Sequence, residues 1–228
     1  MNDKKIKLSG FIMTFILCMV VSSSISAGET IKSDEALKLL KEGNARFVEM
    51  KLRHPDETIK QREETAVNGQ RPFAAVLACS DSRVPVEAIF DRGIGDIFVV
   101  RVAGNIVMDN GVIGSIEYAA KHLKSPLLVI MGHTGCGAVK AAVDDSAVEG
   151  KICDIQEQIR PIAVKTEKEH PGLAGPDLVN AVAKNNALQA KRDLLSLSHE
   201  VKEMVDEGKL RIVTAVYDIK TGKVEWID

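Results

Sequence analysis

Aromatic side chains are scarce in this chain. Six Phe, two Tyr and one Trp among 228 residues amount to 4%, too few for a surface that stacks nucleic-acid bases. Charge of one sign is not in excess either. The formal net charge is −2, which offers a phosphate backbone nothing to bind. Nucleic acid is therefore not expected as a partner. Long apolar runs are missing too. The candidate segment Phe11–Val21 (FIMTFILCMVV) is too short for the roughly 30 Å hydrocarbon core of a bilayer. There is no C-x-x-C pair, against a thioredoxin-like dithiol. There is no G-x-x-x-x-G-K followed by Ser or Thr, against a phosphate-binding loop.

What is present suits a single globular domain: 45% hydrophobic and 27% charged residues. The N-terminus reads as a separate segment. Lys4, Lys5 and Lys7 precede the apolar run, and small or polar residues follow from Ser22 to Ala27. This is the layout of a secretory signal cleaved after Ala27, with no stable membrane insertion afterwards. Residues 1–27 are therefore expected to be a signal peptide, and residues 28–228 the functional domain, exported to a periplasm or secreted. Loss of the segment takes the net charge from −2 to −4. Of Cys18, Cys79, Cys136 and Cys153, the first leaves with it. Three cysteines are a poor disulfide framework and fit thiols committed to other work.

Periodicity predicts helices over 33–50, capped by Ser33 and interrupted at Gly43, and over 110–124, 137–143, 151–168 and 177–207. A loop with a short helix covers 51–72. Buried apolar runs predict strands at 73–79, 96–102, 126–132 and 209–218, with an edge hairpin strand at 223–227. Strands alternating with helices imply an α/β fold. Its sheet is mostly parallel with an antiparallel edge strand, and helices cover both faces. Ligands in such sheets collect at the carboxyl ends of strands, where Cys79 and His133 fall.

The stretch "ACSDSRVP" puts Cys79, Asp81 and Arg83 at alternate positions, so an extended segment turns all three to one side. "GHTGCGAVK" spaces His133 and Cys136 three apart just before a helix. Cys79 can join them as a third metal ligand. An imidazole and two thiolates are a normal zinc set that leaves a fourth position open. Each piece alone has a plainer reading. A lone H-x-x-C is mostly chance, a strand-end Cys is usually a small buried hydrophobe, and an Asp–Arg pair is usually structural.

Together, "ACSDSRVP", "FVVRVAGN", "SIEYA" and "GHTGCG", in this order and spacing, resemble the β-class carbonic anhydrases from about Ser33 to the C-terminus. The resemblance implies one zinc ion (Zn2+) per chain on Cys79, His133 and Cys136, with an Asp81–Arg83 dyad beside the open position. Asp81 accepts a hydrogen bond from zinc-bound hydroxide, and Arg83 restrains the carboxylate. Released, Asp81 would itself be a metal ligand. The implied reaction is reversible hydration of carbon dioxide to bicarbonate and a proton. Two thiolates cancel the charge of zinc, so activity should favour alkaline pH. Gln70, Phe98, Tyr118 and Gly137 align with substrate contacts of the family's plant-like style. Val76 stands where the allosteric style has tryptophan. A homodimer or larger homo-oligomer is implied, with the helix over 33–50 lying on the partner. Carbonyl sulfide or carbon disulfide hydrolysis on the same site is left open, as is a zinc-binding protein without catalysis. His54, His122, His170, His199 and Cys153 receive no role.

Overall fold

The structure, a computed structural model, describes residues 31–228; the expected signal segment lies outside the described residues. Five strands form one sheet: β1 (Ala74–Ala78), β2 (Ile97–Arg101), β3 (Leu127–His133), β4 (Arg211–Tyr217) and β5 (Val224–Trp226). Their order is β2-β1-β3-β4-β5. The first four are parallel, and β5 runs antiparallel to β4 at the edge. The fold class expected from alternating elements is the one observed. All five residues of β1 and all seven of β3 are buried, the pattern of parallel strands covered on both faces.

The helices are α1 (Ser33–Val48), α2 (Ile59–Asn68), α3 (Val86–Ile89), α4 (Asn110–Glu117), α5 (Gly137–Val143), α6 (Ile152–Glu169), α7 (Gly175–Leu197) and α8 (His199–Asp206). The pleat sends alternate strand residues to opposite faces. Val76, Val129 and Val213 pack against Ala36, Leu40, Val86 and Ile89 of α1 and α3. Leu77, Ile130 and Ile212 pack against Ile116, Ala190, Leu194 and Val201 of α4, α7 and α8. A third apolar cluster joins α5, α6 and α7 around Cys79 and Cys136, beyond the strand ends.

Three expectations are revised. The cap of α1 is Lys32, with Ser33 already helical. Gly43 does not interrupt α1. A Cβ there would sit 1.8 Å from the Phe90 carbonyl oxygen, so glycine lets helix and loop backbones touch. The helix predicted over 177–207 is two helices. Ser198 leaves the helical region (φ −115°, ψ 106°) and its Oγ accepts from Val201 N, capping α8. The same hydroxyl donates to Glu117 at 2.6 Å, a tertiary contact that periodicity does not display. Helix α1 packs its apolar stripe on its own sheet, and buried Asn44 fastens it to Gly222 and Val224.

The strand order reverses between β2-β1 and β3. Chain leaving β1 crosses one way and chain leaving β3 the other, which opens a crevice at their carboxyl ends.

Candidate metal centre

Cys79 follows the last residue of β1, His133 is the last residue of β3, and Cys136 is the N-cap of α5. The switch point thus brings together three residues 54 and 57 positions apart in pairs with Cys79. Their ligand atoms all lie within 4.8 Å of one another. The two Sγ atoms are 4.0 Å apart, and both thiols are free. Sulfurs each ~2.3 Å from one tetrahedral ion stand about 3.8 Å apart. Exposure is 4% for Cys79 and 1% for both His133 and Cys136.

The turn Thr134–Gly135 brings His133 and Cys136 to one side. Gly135 takes φ +63° there, a left-handed conformation suited to glycine. His133 Nδ1 lies 3.0 Å from the Thr134 carbonyl oxygen. A carbonyl only accepts, so Nδ1 carries the hydrogen and Nε2 presents its lone pair. That Nε2 is buried without a hydrogen-bond partner among the described residues. An orphaned acceptor beside two buried thiols is what a cation would satisfy.

The sulfurs lead to the same conclusion. A hydrogen bond from Cys136 lowers the Cys79 thiol to about 4 despite burial. The backbone N–H groups of Asp81 and Gly104 lower it further. The same bond, burial and the Cys79 charge push Cys136 far up. Without a cation, the pair holds one negative charge and resists a second. A divalent ion removes that resistance, so the residues fit zinc.

Asp81 and Arg83 form the dyad expected from "CSDSR". Arg83 Nε and Nη2 donate to Asp81 Oδ1 and Oδ2 at 2.9 and 2.7 Å, and the Arg83 N–H donates to Oδ1 at 2.9 Å. This two-pronged grip holds the Asp81 carboxyl well below the usual carboxylate range. Asp81 Oδ2 stands 3.9 Å from His133 Nε2, at the rim of the centre. Arg83 Nη2 also reaches the Gly135 carbonyl at 3.2 Å, tying the dyad to the His133–Cys136 turn.

These features define a buried N/S₂ donor set with a restrained carboxylate at its edge. The family model described as carbonic anhydrase matches residues 74–224. The chain belongs to the β-class carbonic anhydrase family. Among relatives of this carbonic anhydrase family member, the carbonic anhydrase of Mycolicibacterium smegmatis is 41% identical over 194 residues, covering 83% of this chain and 91% of that one. Carbonic anhydrase 2 of Mycobacterium tuberculosis is 38% identical over 192 residues, covering 82% and 89%. A tetrameric β-carbonic anhydrase structure from Sordaria macrospora superposes with a TM-score of 0.69 at 26% identity, covering 74% of this chain and 87% of that one.

The remaining expected site residues are placed as follows. Gly137 opens α5 beside Cys136, and a Cβ there would meet no atom within 4 Å. Phe98 and Tyr118 contact each other, ring centroids 6.0 Å apart. Phe98 pairs in register with Ala75, whereas Cys79 follows Ala78. The aromatic pair therefore sits roughly 10 Å back along the strands from the carboxyl ends. Gln70 is exposed in the segment before β1. The structure thus gathers Cys79, Asp81, Arg83, His133, Cys136 and Gly137 in one place and sets Phe98 and Tyr118 apart from them.

Sequence reasoning missed three contributors. The Gly104 N–H donates to Cys79 Sγ at 3.3 Å, with Gly104 at φ +72°. Asn180 Oδ1 accepts from the Gly135 N–H at 3.0 Å. Arg101 donates to the carbonyls of Cys79 and Asp81. Arg101 and Gly104 both lie in "RVAGN" at the end of β2, but their contacts run through backbone atoms that the residue types do not display.

Proposed function

We propose that the protein is a zinc enzyme that interconverts carbon dioxide and bicarbonate, with one zinc per chain on Cys79, His133 and Cys136. The observation that carries this reading is the buried three-ligand cluster with the Asp81–Arg83 pair at its rim. Zinc there supplies the acidification of water that makes hydroxide available at mild pH. The chain's own residues do the rest. Cys79 and Cys136 provide charge that matches the ion. Asp81 stays ionised and serves only as acceptor, so it orients the attacking oxygen through that oxygen's hydrogen. Arg83 occupies both carboxylate oxygens and keeps Asp81 from becoming a fourth ligand. Gly137 beside Cys136 is exposed and adds no side chain to that edge of the centre. A structural zinc site would need no such dyad and no open side.

Three finer points belong to the same proposal. The plant-like style is supported by Val76 in place of tryptophan and by the Phe98–Tyr118 pair. On one chain that pair lies away from the centre, so a second copy is the natural recipient of its contacts. Strand β2 is a sheet edge whose Ile97, Phe98 and Val99 are only half-buried, and an uncovered apolar edge favours pairing with another chain. A homo-oligomer follows. Export is supported by the basic, apolar and small-residue layout of residues 1–27. Among the described residues, no helix is long and apolar enough to cross a membrane.

Hydration of carbon dioxide and hydrolysis of carbonyl sulfide, measured on one zinc-loaded sample, test the reaction. Carbon dioxide is expected to be turned over far faster. A preference for carbonyl sulfide would replace this reading with the sulfur-analogue one.

A further inference from the structure

Arg101 is the last residue of edge strand β2, in register with Ala78 at the end of β1. Its side chain reaches over to the loop that carries the metal-centre residues. Nε donates to the Cys79 carbonyl at 3.1 Å, and Nη2 donates to the Asp81 carbonyl at 2.6 Å. Sheet pairing between the two strands stops just there. The Val102 N–H bonds Ala78 O and the Ser80 N–H bonds Val102 O, after which the chain turns at Ala103–Asn105. Beyond that point the loop has no ladder to hold it. One planar guanidinium takes over, with fixed donor directions that a lysine lacks.

The direction of a carbonyl is set by its own residue's ψ. Holding the carbonyls of residues 79 and 81 therefore holds ψ at the thiol ligand and at the dyad carboxylate together. The two grips on Asp81 are independent. Arg83 fixes the carboxylate end of the side chain, and Arg101 fixes the backbone from which it springs. Arg101 donates to no side chain of the centre, and its guanidinium is spent on main-chain oxygens.

We infer that Arg101 is a positioning residue for hydration, clamping the Cys79–Asp81 backbone so that thiolate and carboxylate face the centre at a fixed separation. This rests on the carbonic anhydrase reading above. Misplacing a reacting group by about 1 Å costs on the order of 100-fold in rate. Arg101→Ala is accordingly expected to lower kcat by about 10- to 100-fold with KM changed less than about 3-fold. Zinc stoichiometry should stay at one per chain, because no ligand is removed. Arg101→Lys, which restores a cation but not the fork, should recover only part of the loss. Visible spectra of the cobalt-substituted proteins give a readout independent of turnover. The Arg101→Ala spectrum should differ from that of the parent protein, since the ligand directions change.

Three results would overturn the inference. One is Arg101→Ala with kcat within about 2-fold of the parent at full zinc occupancy. Another is a loss in kcat fully explained by lost zinc or lost folded protein. The third is a cobalt spectrum identical to the parent's. If the parent itself fails to hydrate carbon dioxide, the functional reading fails instead, and the cobalt spectra still decide whether Arg101 shapes the centre.

Discussion

At the scale of single residues, the division of labour between Asp81 and Arg83 is open to direct test. Arg83 touches no ligand atom, so Arg83→Ala should keep its zinc. Its loss frees Asp81 Oδ2, which already stands 3.9 Å from His133 Nε2, to move onto the ion. Hydration should fall by at least about 100-fold. Asp81→Asn should also keep zinc, yet fall less steeply, because an amide is a poor ligand and leaves the fourth position open. Near-normal hydration by Arg83→Ala would reduce the pair to a structural ion pair. The five residues of the centre and dyad were legible because their chemistry lies in side chains at short, fixed spacings. Arg101, Asn180 and Gly104 were not, because they act on backbone atoms or through a backbone N–H, and no residue pattern displays those contacts.

Another residue sets a pH dependence of stability. Burial, and secondarily the nearby Asp56 charge, raise the Asp96 carboxyl from 3.8 to about 6 against the pull of the Gly93 N–H. The unfolded chain then gives up this proton first. Between pH 3.8 and about 6, stability should fall as pH rises, and above that window the penalty is constant. Asp96→Asn can keep the acceptor for Gly93 and removes the charge. It is expected to be more stable than the parent above pH 6 and to lose the difference towards pH 4, as read from urea midpoints. An unchanged pH slope in the variant would contradict this.

At the scale of elements, the strands were easier to read than the helix boundaries. β1, β3 and β4 are short apolar runs buried on both faces, and nothing else of that length fits them. The break at Ser198 was hidden because Leu194, Leu195, Leu197 and Val201 continue a helical pattern straight across it. The contact of Ser198 with Glu117, 81 positions away, joins the α8 cap in holding the bend there. Ser198→Ala removes the α8 cap and that contact. A destabilisation of about 1 kcal/mol or more is expected, seen as a lower urea midpoint with the slope unchanged. A midpoint equal to the parent's would show that the bend is set by packing of Val201 alone. Short helix α3 escaped notice since four residues give too little periodicity to detect. Gly43 misled for the opposite reason. Its effect on helix propensity is visible in sequence, whereas the Phe90 backbone pressed against it is not.

At the scale of the whole molecule, alternation of strands and helices foretold the parallel sheet, and the switch point between β1 and β3 turned two distant motifs into one centre. What a single chain leaves unfinished points outward. The half-buried β2 edge and the exposed Tyr118, Ile59 and Val67 have no cover among the described residues. Native mass spectrometry of exported material reads both proposals at once. The mature N-terminus is expected near Gly28, and the mass as a multiple of that chain. An intact Met1 would reject cleavage, and a single-chain mass at micromolar concentration would reject the oligomer.

The function rests on the centre being a zinc site that hydrates carbon dioxide. The most direct measurement takes one purified sample, determines its zinc content, and records stopped-flow hydration before chelation, after it, and after zinc is returned. The expected result is one zinc per chain and fast hydration that disappears with the metal and returns with it. In parallel, Cys136→Ser should lose most of its zinc, since a neutral hydroxyl replaces a soft thiolate. Protein holding a full complement of zinc on Cys79, His133 and Cys136, yet hydrating carbon dioxide no faster than buffer, would contradict the account.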